Sequence, residues 1–436
     1  MKKIAALVFL AISITGFSQQ KTLSLTEAVN TALKNSYDIQ LAKNNLDITN
    51  INNDIGIAGG LPTVSGTATD NEQITSINQK YADATRDTKR PNVAANNLVI
   101  GVTGSILLFN GYRVVATKKR LEELVLQNQE LLKAQIQNTI AGVMTKYYDI
   151  VRQQSLMKTI LQSIDVSKKR LDILNTRKDV GLANAADTYQ AQLDLNALVQ
   201  SQQAQQLVID QAKTDLLNLI FVKSAINDPY ITISDTIIVD RTVNIDSIRN
   251  NLSKNPLVLA ADRQVHINEL IEKETATLRI PSIRANAGYN FNSSNSAAGF
   301  TLLNQSYGPF IGIGLTVPIY NGGIYKKQQQ VASINTKNAM IQRDNIVLDN
   351  ETDMVRTYQS YTNTLSQLST EQKNYDLSIQ LLDLVLQKFQ LGNATIIDVK
   401  LAQQTFENEG YRLVNLNYSA KIAEIELKRL ASRLVL

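Results

Sequence analysis

The stretch LFNGYRVVATKKR, from Leu108 to Arg120, has a counterpart in PIYNGGIYKKQQQ, from Pro318 to Gln330. Both versions carry an Asn-Gly pair followed by basic and helix-forming residues, and their glycines Gly111 and Gly322 are 211 residues apart. An internal period of this length is typical of a chain built from tandem structural units. The stretch therefore predicts a fold in which one unit occurs twice.

The similarity continues on both sides of these two stretches. Downstream, Gly181 in DVGLANAAD corresponds to Gly392 in QLGNATIID, again 211 residues apart. Upstream, Pro62 in GLPTVSGTA corresponds to Pro281 in RIPSIRANA, 219 residues apart, so the first copy is eight residues longer in between. We expect a loop over Asp70–Ala95 to contain the extra residues and to face the outside of the cell.

Each unit ends in a long stretch that favours helix. The chain has no proline between Pro91 and Pro229 or after Pro318, and these stretches are rich in Leu, Gln, Lys, Ala and Glu. Apolar residues recur in these stretches at steps of three and four, as on one face of a helix. A continuous helix over such a stretch would be about 100 Å long, a length typical of coiled coils. We predict two antiparallel helical hairpins, over about 112–220 and about 324–436, which turn at the glycine tips 181 and 392.

Ahead of each hairpin the apolar period changes to two, which predicts β-strands. Two strands are expected in the first unit (residues 19–220), over about 61–72 and 97–109, and two in the second (246–436), over about 281–292 and 307–319. The predicted apolar face includes Val64, Ala68, Leu98, Ile100, Val102, Ile106, Leu108, Ile283, Ala285, Ala287, Tyr289, Phe291, Ile311, Ile313 and Leu315.

Each run has about the 9–11 residues of a tilted membrane-spanning strand, with one apolar face for lipid. Four strands cannot close a barrel, because about eight are needed. Open strand edges in lipid would cost several kcal/mol for each unpaired backbone group. The chain must therefore supply part of a shared barrel in contact with outer-membrane lipid. A homotrimer would give such a barrel twelve strands.

The first residues predict export from the cytoplasm. Lys2 and Lys3 precede the apolar run Ile4–Phe17, and small residues end at Ser18, as in a secretory signal peptide over 1–18. Removing it lowers the net charge from +5 to +3, which gives no reason to expect nucleic acid as a partner. The chain has no cysteine, which excludes a disulfide framework, a thiolate metal site and a lipid-modified cysteine.

Taken together and in order, these motifs resemble the TolC-like outer-membrane efflux proteins. The resemblance rests on LTEAVNTALKNSYDI from Leu25, the two strand starts, the FNGY and YNGG corners and the two glycine tips. It implies an outer-membrane channel of a Gram-negative type envelope, with a helical part in the periplasm. It also implies a mixed linker, over 221–245 here, with strand-like ITIS and TIIVD runs after Pro229.

The implied function is that of a passive conduit in a tripartite efflux or secretion system. Its partners would be a periplasmic membrane-fusion adaptor and an inner-membrane transporter that open the channel. The alternative is a soluble periplasmic coiled-coil adaptor or spacer, since adaptors also carry long helical hairpins. Catalytic residues, cofactors and a metal site are not expected: the one histidine, His266, lies in a helical stretch, and Glu122-Glu123 is typical of a helix surface.

Asp187 and Asp398 are the candidate gate residues, with Gly181 and Gly392 as the candidate tip residues. Each aspartate follows its tip glycine by six residues, and three copies of each would give the pore a ring of negative charge that favours cations. Both also have the spacing of a helix-capping box, from Asn184 and Thr395, so capping is the competing interpretation.

Other tip positions differ from those of the family. The family's acidic pore position three residues further on is Leu401 here, and its tip arginine and tyrosine positions are Ala394 and Phe389. The equivalent tyrosines Tyr147 and Tyr358 are interpreted as packing between helices rather than as a substrate site.

Overall fold

The computed structural model describes residues 22–220, 233–297 and 301–434. The predicted signal peptide lies outside the described residues. The chain divides into two compact units. The sheet unit consists of Ala42–Leu132 and Pro256–Leu348, and the hairpin unit of Met1–Leu41, Lys133–Asn255 and Asp349–Leu436.

The sheet unit holds one antiparallel sheet of four strands in the order β1-β2-β3-β4. The strands are β1 (Thr63–Gln79), β2 (Thr88–Phe109), β3 (Ser282–Ser296) and β4 (Leu303–Thr316). Each strand pairs with the next one along the chain. In a single copy, β1 and β4 are therefore the two edges of the sheet.

The prediction of a loop over Asp70–Ala95 is wrong. Asp70 pairs with Leu98 and Gln79 with Thr88, so most of the segment lies in the β1–β2 ladder. Only the connection around the short 3-10 helix Ala84–Arg86 is not strand. The extra residues of the first copy thus lengthen a hairpin, in which both chain segments satisfy each other's backbone groups.

A bulge allows this hairpin to include a proline. Pro91 and Asn92 lie opposite the single residue Ser76, because the pairing shifts between Thr75 and Ile77. Asn92 has a φ of 53°, and its amide donates to the Ser76 hydroxyl oxygen at 3.1 Å. Proline is tolerated in strands at such bulges, since its missing N–H leaves no ladder bond unmade.

The strand register gives the sheet one continuous apolar face. Residues directly opposite each other share a face, and Ala68, Ile100, Phe291 and Tyr307 form one such row. Further rows of this face contain Val64, Val102, Ile106, Ile283, Ala285, Ala287, Tyr289, Ile311, Ile313 and Leu315. The other face carries mainly Thr, Ser, Asn and Gly.

Leu108 does not belong to the regular apolar alternation, in contrast to the prediction. The pairing shifts between Leu107 and Phe109, and Phe109 takes the position opposite Ile283. Leu108 is the extra residue of a bulge, which the period of the sequence alone does not reveal.

Long helices follow both pairs of strands, and they are α3 (Arg113–Asp179), α4 (Ala185–Leu219), α7 (Ile324–Leu391) and α8 (Ile396–Leu430). In the sheet unit, α3 is joined to α6 (Pro256–Ala276) by the Arg120–Glu274 ion pair, at 2.7 Å. In the hairpin unit, α3 with α4 and α7 with α8 form the two hairpins. No helix among the described residues is long and apolar enough to cross a membrane.

Shorter helices precede both sets of strands, namely α1 (Leu25–Asn35), α2 (Tyr37–Asn52) and α5 (Ile245–Leu252). The N-cap residues of α1 and α5, Ser24 and Asn244, each accept a hydrogen bond from a first-turn amide. These caps are 220 residues apart, which is the offset of the repeat in this region.

Of the predicted mixed linker 221–245, residues 221–232 lie outside the described residues. The prediction of strand character in TIIVD, Thr236–Asp240, is wrong, because this segment has no strand pairing. Side chains hold it instead: the Asp240 amide donates to Glu424 at 2.9 Å, and Lys428 donates to the Asp240 carboxylate at 2.9 Å. Hydrogen bonds from Thr242, and then from Lys428, lower the pKa of Asp240 well below its usual range.

Candidate functional site

The candidate site is the pair of tips at which the two hairpins turn. Gly181 has a φ of +77° and Gly392 a φ of +89°. This left-handed region is open to glycine and costly for residues with a Cβ atom. Each glycine therefore allows the chain to leave one long helix and enter the next within a few residues.

Both outgoing helices end in the same hydrogen-bonding pattern. In the first tip, the Leu182 amide donates to the Arg177 carbonyl at 2.7 Å, and the Gly181 amide to the Lys178 carbonyl at 3.0 Å. In the second tip, the corresponding donor and acceptor pairs are Asn393 with Lys388 (2.8 Å) and Gly392 with Phe389 (3.1 Å). This is a Schellman ending, which satisfies carbonyls that the last helical turn would leave unpaired.

The candidate gate residues lie at the start of the returning helices. Thr395 Oγ1 accepts from the Asp398 amide at 3.2 Å, and Asp398 Oδ2 accepts from the Thr395 amide at 2.8 Å. This reciprocal pair is a capping box, so the capping interpretation is correct for Asp398. The backbone and side-chain hydrogen bonds from Thr395 lower the pKa of this exposed carboxyl.

The first tip has only half of this arrangement within the described residues. Asn184 Oδ1 accepts from the Asp187 amide at 2.8 Å and caps α4. The Asp187 carboxylate does not return a bond to the Asn184 amide, in contrast to Asp398. The two aspartates are therefore equivalent in position and different in local bonding.

An arginine of the first hairpin holds the second tip. The Arg177 guanidinium donates to the backbone carbonyl of Phe389 and lies over the Phe389 ring, 4.8 Å from its centroid. A cation at a helix C-terminus is favourable because the last carbonyls carry partial negative charge. The face of an aromatic ring attracts a cation for the same electrostatic reason. We call this contact the Arg177 latch.

An apolar cluster supports the latch from both hairpins. Its buried members are Leu174, Ala191, Phe389 and Val399, and Ala394 packs against it. The two positions at which the family's tip arginine and tyrosine are replaced thus serve as packing residues here. Sequence reasoning named Phe389 and Ala394 but missed Arg177, although a basic residue in the last turn before a tip glycine was an available signal.

A charged cluster joins the hairpins further along the helices. Asp194 of α4 accepts from Arg170 of α3 at 2.9 Å and from Lys400 of α8 at 3.0 Å. Burial acts to raise the pKa of Asp194. Hydrogen bonds from Lys400 and Gln190 and the charge of Arg170 outweigh it and lower this pKa. The carboxylate therefore stays charged and links three helices.

The remaining candidate residues have structural surroundings. His266 pairs with Glu269 at 3.2 Å on an exposed surface of α6. Tyr147 is fully buried and donates to the Asp235 carboxylate, and burial raises the pKa of its hydroxyl. Tyr358 packs against a buried cluster that contains Tyr361. Among the residues that the structure describes, no group of three or more His, Asp or Glu could hold a metal ion.

A four-stranded antiparallel sheet with one apolar face, together with two long helical hairpins, defines the subunit of a TolC-like channel. The chain belongs to the outer membrane efflux protein family, whose model matches residues 28–221 and 248–433. It is 20% identical to the outer membrane protein TolC of Escherichia coli K12 over 368 residues, 80% of this chain and 71% of TolC. It is 21% identical to the outer membrane efflux protein BepC of Brucella suis over 342 residues, 77% of this chain and 72% of BepC.

Solved channels have the same fold. The outer membrane protein VceC of Vibrio cholerae aligns with a TM-score of 0.76 at 17% identity, covering 94% of this chain and 96% of VceC. The CmeC outer membrane channel of Campylobacter jejuni aligns with a TM-score of 0.78 at 15% identity, covering 94% of this chain and 85% of CmeC.

The chain is thus an outer-membrane channel subunit of a tripartite efflux system, with its helical part in the periplasm. The family is one of transport channels and not of enzymes. The alternative of a soluble periplasmic adaptor is not supported, because the relatives and the solved structures are outer-membrane efflux proteins and channels.

Proposed function

We propose that three copies of the chain form one channel, in which the sheets close a barrel of twelve strands. The open edges carry this proposal, because within the described part of a single copy β1 and β4 have no neighbouring strand on their outer sides. Such edges are costly in lipid, and pairing β1 of one copy with β4 of the next removes them. The exposed Ile311, Ile313 and Leu315 of β4 then continue the apolar face around the barrel.

The tips of three copies would surround one opening, which we call the mouth. A periplasmic membrane-fusion adaptor and an inner-membrane transporter are the proposed partners that open it. The Arg177 latch supports this role, because a single hydrogen bond and a single cation–ring contact join the tips of one copy there, and a docking partner could break both. The channel itself then supplies no energy and acts as a conduit.

Asp187 and Asp398 are proposed to line the mouth with negative charge. Capping does not compete with this role at Asp398, because the hydrogen bonds from Thr395 lower the pKa of this carboxyl and so favour its charged form. Asp398 is exposed and Asp187 is partly exposed. Gly181 and Gly392 are proposed to set the shape of the surface that the adaptor contacts. We further propose that residues 1–18 are removed on export and that residues 221–245 link the two repeats.

Planar-bilayer recording tests the proposal directly. The purified protein should run as a trimer and give discrete single-channel currents with a preference for cations. Asp187→Asn with Asp398→Asn should reduce that preference, while Asp376→Asn on the exposed surface of α7 is the matched control. A monomer without conductance would contradict the channel, and unchanged selectivity with a lower Tm would leave the aspartates with capping alone.

A further inference from the structure

The two hairpins match in register, except that α7 extends one residue further than α3 before its tip. Helices α3 and α7 begin at residues 113 and 324, and α4 and α8 begin at 185 and 396, an offset of 211 in both cases. Helices α4 and α8 also end 211 residues apart, at 219 and 430. Each residue of one hairpin therefore has an equivalent in the other.

Equivalent residues on the outgoing helices differ in burial. Val166 of α3 packs against residues of the second hairpin, and Ile173 packs against the apolar cluster that both hairpins share. Arg170, which is paired with Asp194 of α4, is only 1% exposed. Their equivalents on α7 are Leu377, Leu381 and Leu384, which are 61%, 45% and 50% exposed. An apolar row of this kind on a helix face calls for a covering surface.

The repeat identifies the covering surface. Within one copy, α3 packs against α8, and the equivalents of these helices are α7 and α4. A contact between α7 and α4 of the next copy would reproduce the same packing. Helix α4 presents exposed Tyr189, Leu193 and Leu207 for this contact. The occupant of the α7 face is therefore a second copy of this chain, as the proposed trimer requires.

The same correspondence predicts individual contacts between copies. Within a copy, α8 approaches α3 closely at Gly410, where a Cβ atom would lie 3.0 Å from Thr159 Cγ2. The equivalent pair is Thr370 with Val199 of the next copy. Val199 carries a Cβ atom and two methyl groups where Gly410 has none, so the two helices should lie slightly further apart at this pair than at Thr159 and Gly410.

At the tips, the residues equivalent to the Arg177 latch differ from it in charge. The Arg177 latch joins Arg177 to Phe389, and their equivalents are Lys388 and Lys178. Both lysines are exposed in the single copy. We propose that Lys388 of one copy faces Lys178 of the next, so that like charges weaken each contact between copies while the latch closes each copy internally. The mouth would then part along three seams, a conclusion that rests on the proposed trimer.

Disulfide trapping tests the pairing, and the chain suits it because it contains no cysteine. Thr370→Cys with Val199→Cys should give covalent dimers and trimers on a non-reducing gel. Thr159→Cys with Gly410→Cys is the matched control and should cross-link within a monomer. A conducting channel in which the Thr370 and Val199 variants do not cross-link between copies would overturn the pairing and leave the trimer intact.

Charge reversal tests the seam. Lys178→Glu alone, or Lys388→Glu alone, places opposite charges across each seam and should lower the open probability about threefold or more at low salt. The double reversal restores like charges and should return the open probability to near the wild-type value. Lys158→Glu, on an exposed part of α3, is the control.

Salt provides an independent readout, because the single reversals should lose their effect near 1 M salt, where charges on the surface are screened within about 3 Å. Single reversals with unchanged opening, or a double reversal as closed as the single ones, would overturn the seam. A wild-type protein without any conductance would instead contradict the proposed channel.

Discussion

Replacing Glu371 and Glu409 by isoleucine and leucine should stabilise the second hairpin and remove a pH dependence. These are the residues that the first hairpin has at the equivalent positions, Ile160 and Leu198. The Glu371 side chain is 6% exposed and that of Glu409 is 17% exposed. Arg412, on the surface, lies 3.7 Å from a carboxylate oxygen of each. The first hairpin shows that the same helix pair can be packed with apolar residues.

The magnitude follows from the titration of Glu371. Burial, and then the neighbouring carboxylate of Glu409, raise the pKa of Glu371 from 4.5 to about 7, while Arg412 acts against them. Between these two values the folded chain keeps a proton that the unfolded chain releases. The free energy of unfolding should therefore fall as the pH rises from about 4.5 to about 7, by about 1–3 kcal/mol.

Thermal unfolding in detergent at pH 5 and pH 8 measures this effect. The wild type should melt at a lower temperature at pH 8, and the double variant should lose most of the difference. Replacing a buried charged group by well-packed apolar residues is neutral or stabilising by about 1–4 kcal/mol. The double variant should therefore be at least as stable as the wild type at pH 8.

Two further variants separate the contributions. Glu371→Gln keeps the shape and should also flatten the pH dependence, while Arg412→Ser, the equivalent of Ser201, removes the cation and should steepen it. The reasoning is refuted if the double variant keeps the full pH difference, or if it melts below the wild type at pH 8.

Three predictions concern the tips. Arg177→Ala removes the hydrogen bond and the ring contact to Phe389, which together contribute about 1–2 kcal/mol. Single-channel recording should show more frequent opening, and unchanged gating would mean that the latch does not keep the mouth closed. Gly392→Ala should lower the free energy of unfolding by about 1–2 kcal/mol, because residue 392 has a left-handed backbone. Amide hydrogen exchange should then become faster in the last turn of α7, and in that of α3 for Gly181→Ala; unchanged exchange rates would contradict this reasoning. Thr395→Ala removes the capping box at a cost of about 1 kcal/mol; the first amides of α8 should exchange faster, and those of α4 should not change.

The repeat carried most of the predictable information. The offset of 211 residues located both tips, and the alternation of apolar residues located one face of each strand. Together with the family motifs, these periods were enough to predict the fold class. Periodicity of this kind is visible in sequence because it reflects local geometry that recurs at every residue.

Features that depend on a single irregular residue were not predictable. The bulges at Ser76 and Leu108 shift the strand register, and the first of them accommodates Pro91 inside a paired hairpin. Such a bulge is decided by the partner strand, which a period along one strand does not report. The length of the β1–β2 hairpin was missed for this reason.

The candidate site was only partly accessible for a similar reason. The capping box of Thr395 and Asp398 is a local pattern and was found from its spacing. The Arg177 latch joins residues 212 positions apart and uses a backbone carbonyl as one partner. Every residue has a backbone carbonyl, so the residue type at position 389 does not indicate that its carbonyl accepts a hydrogen bond. The sequence therefore shows the arginine but not the residue that it contacts.

The two open edges of the sheet have a consequence for biogenesis. Since β1 and β4 come from opposite ends of the strand order, no chain can complete its own ladder. In the proposed trimer, the last step of insertion is an encounter between chains, so its rate should rise with the number of copies present. Slow synthesis would leave the two sheet edges of each copy unpaired for longer, and unpaired edges are prone to aggregation. The yield of assembled channel should therefore rise more steeply than the amount of chain synthesised.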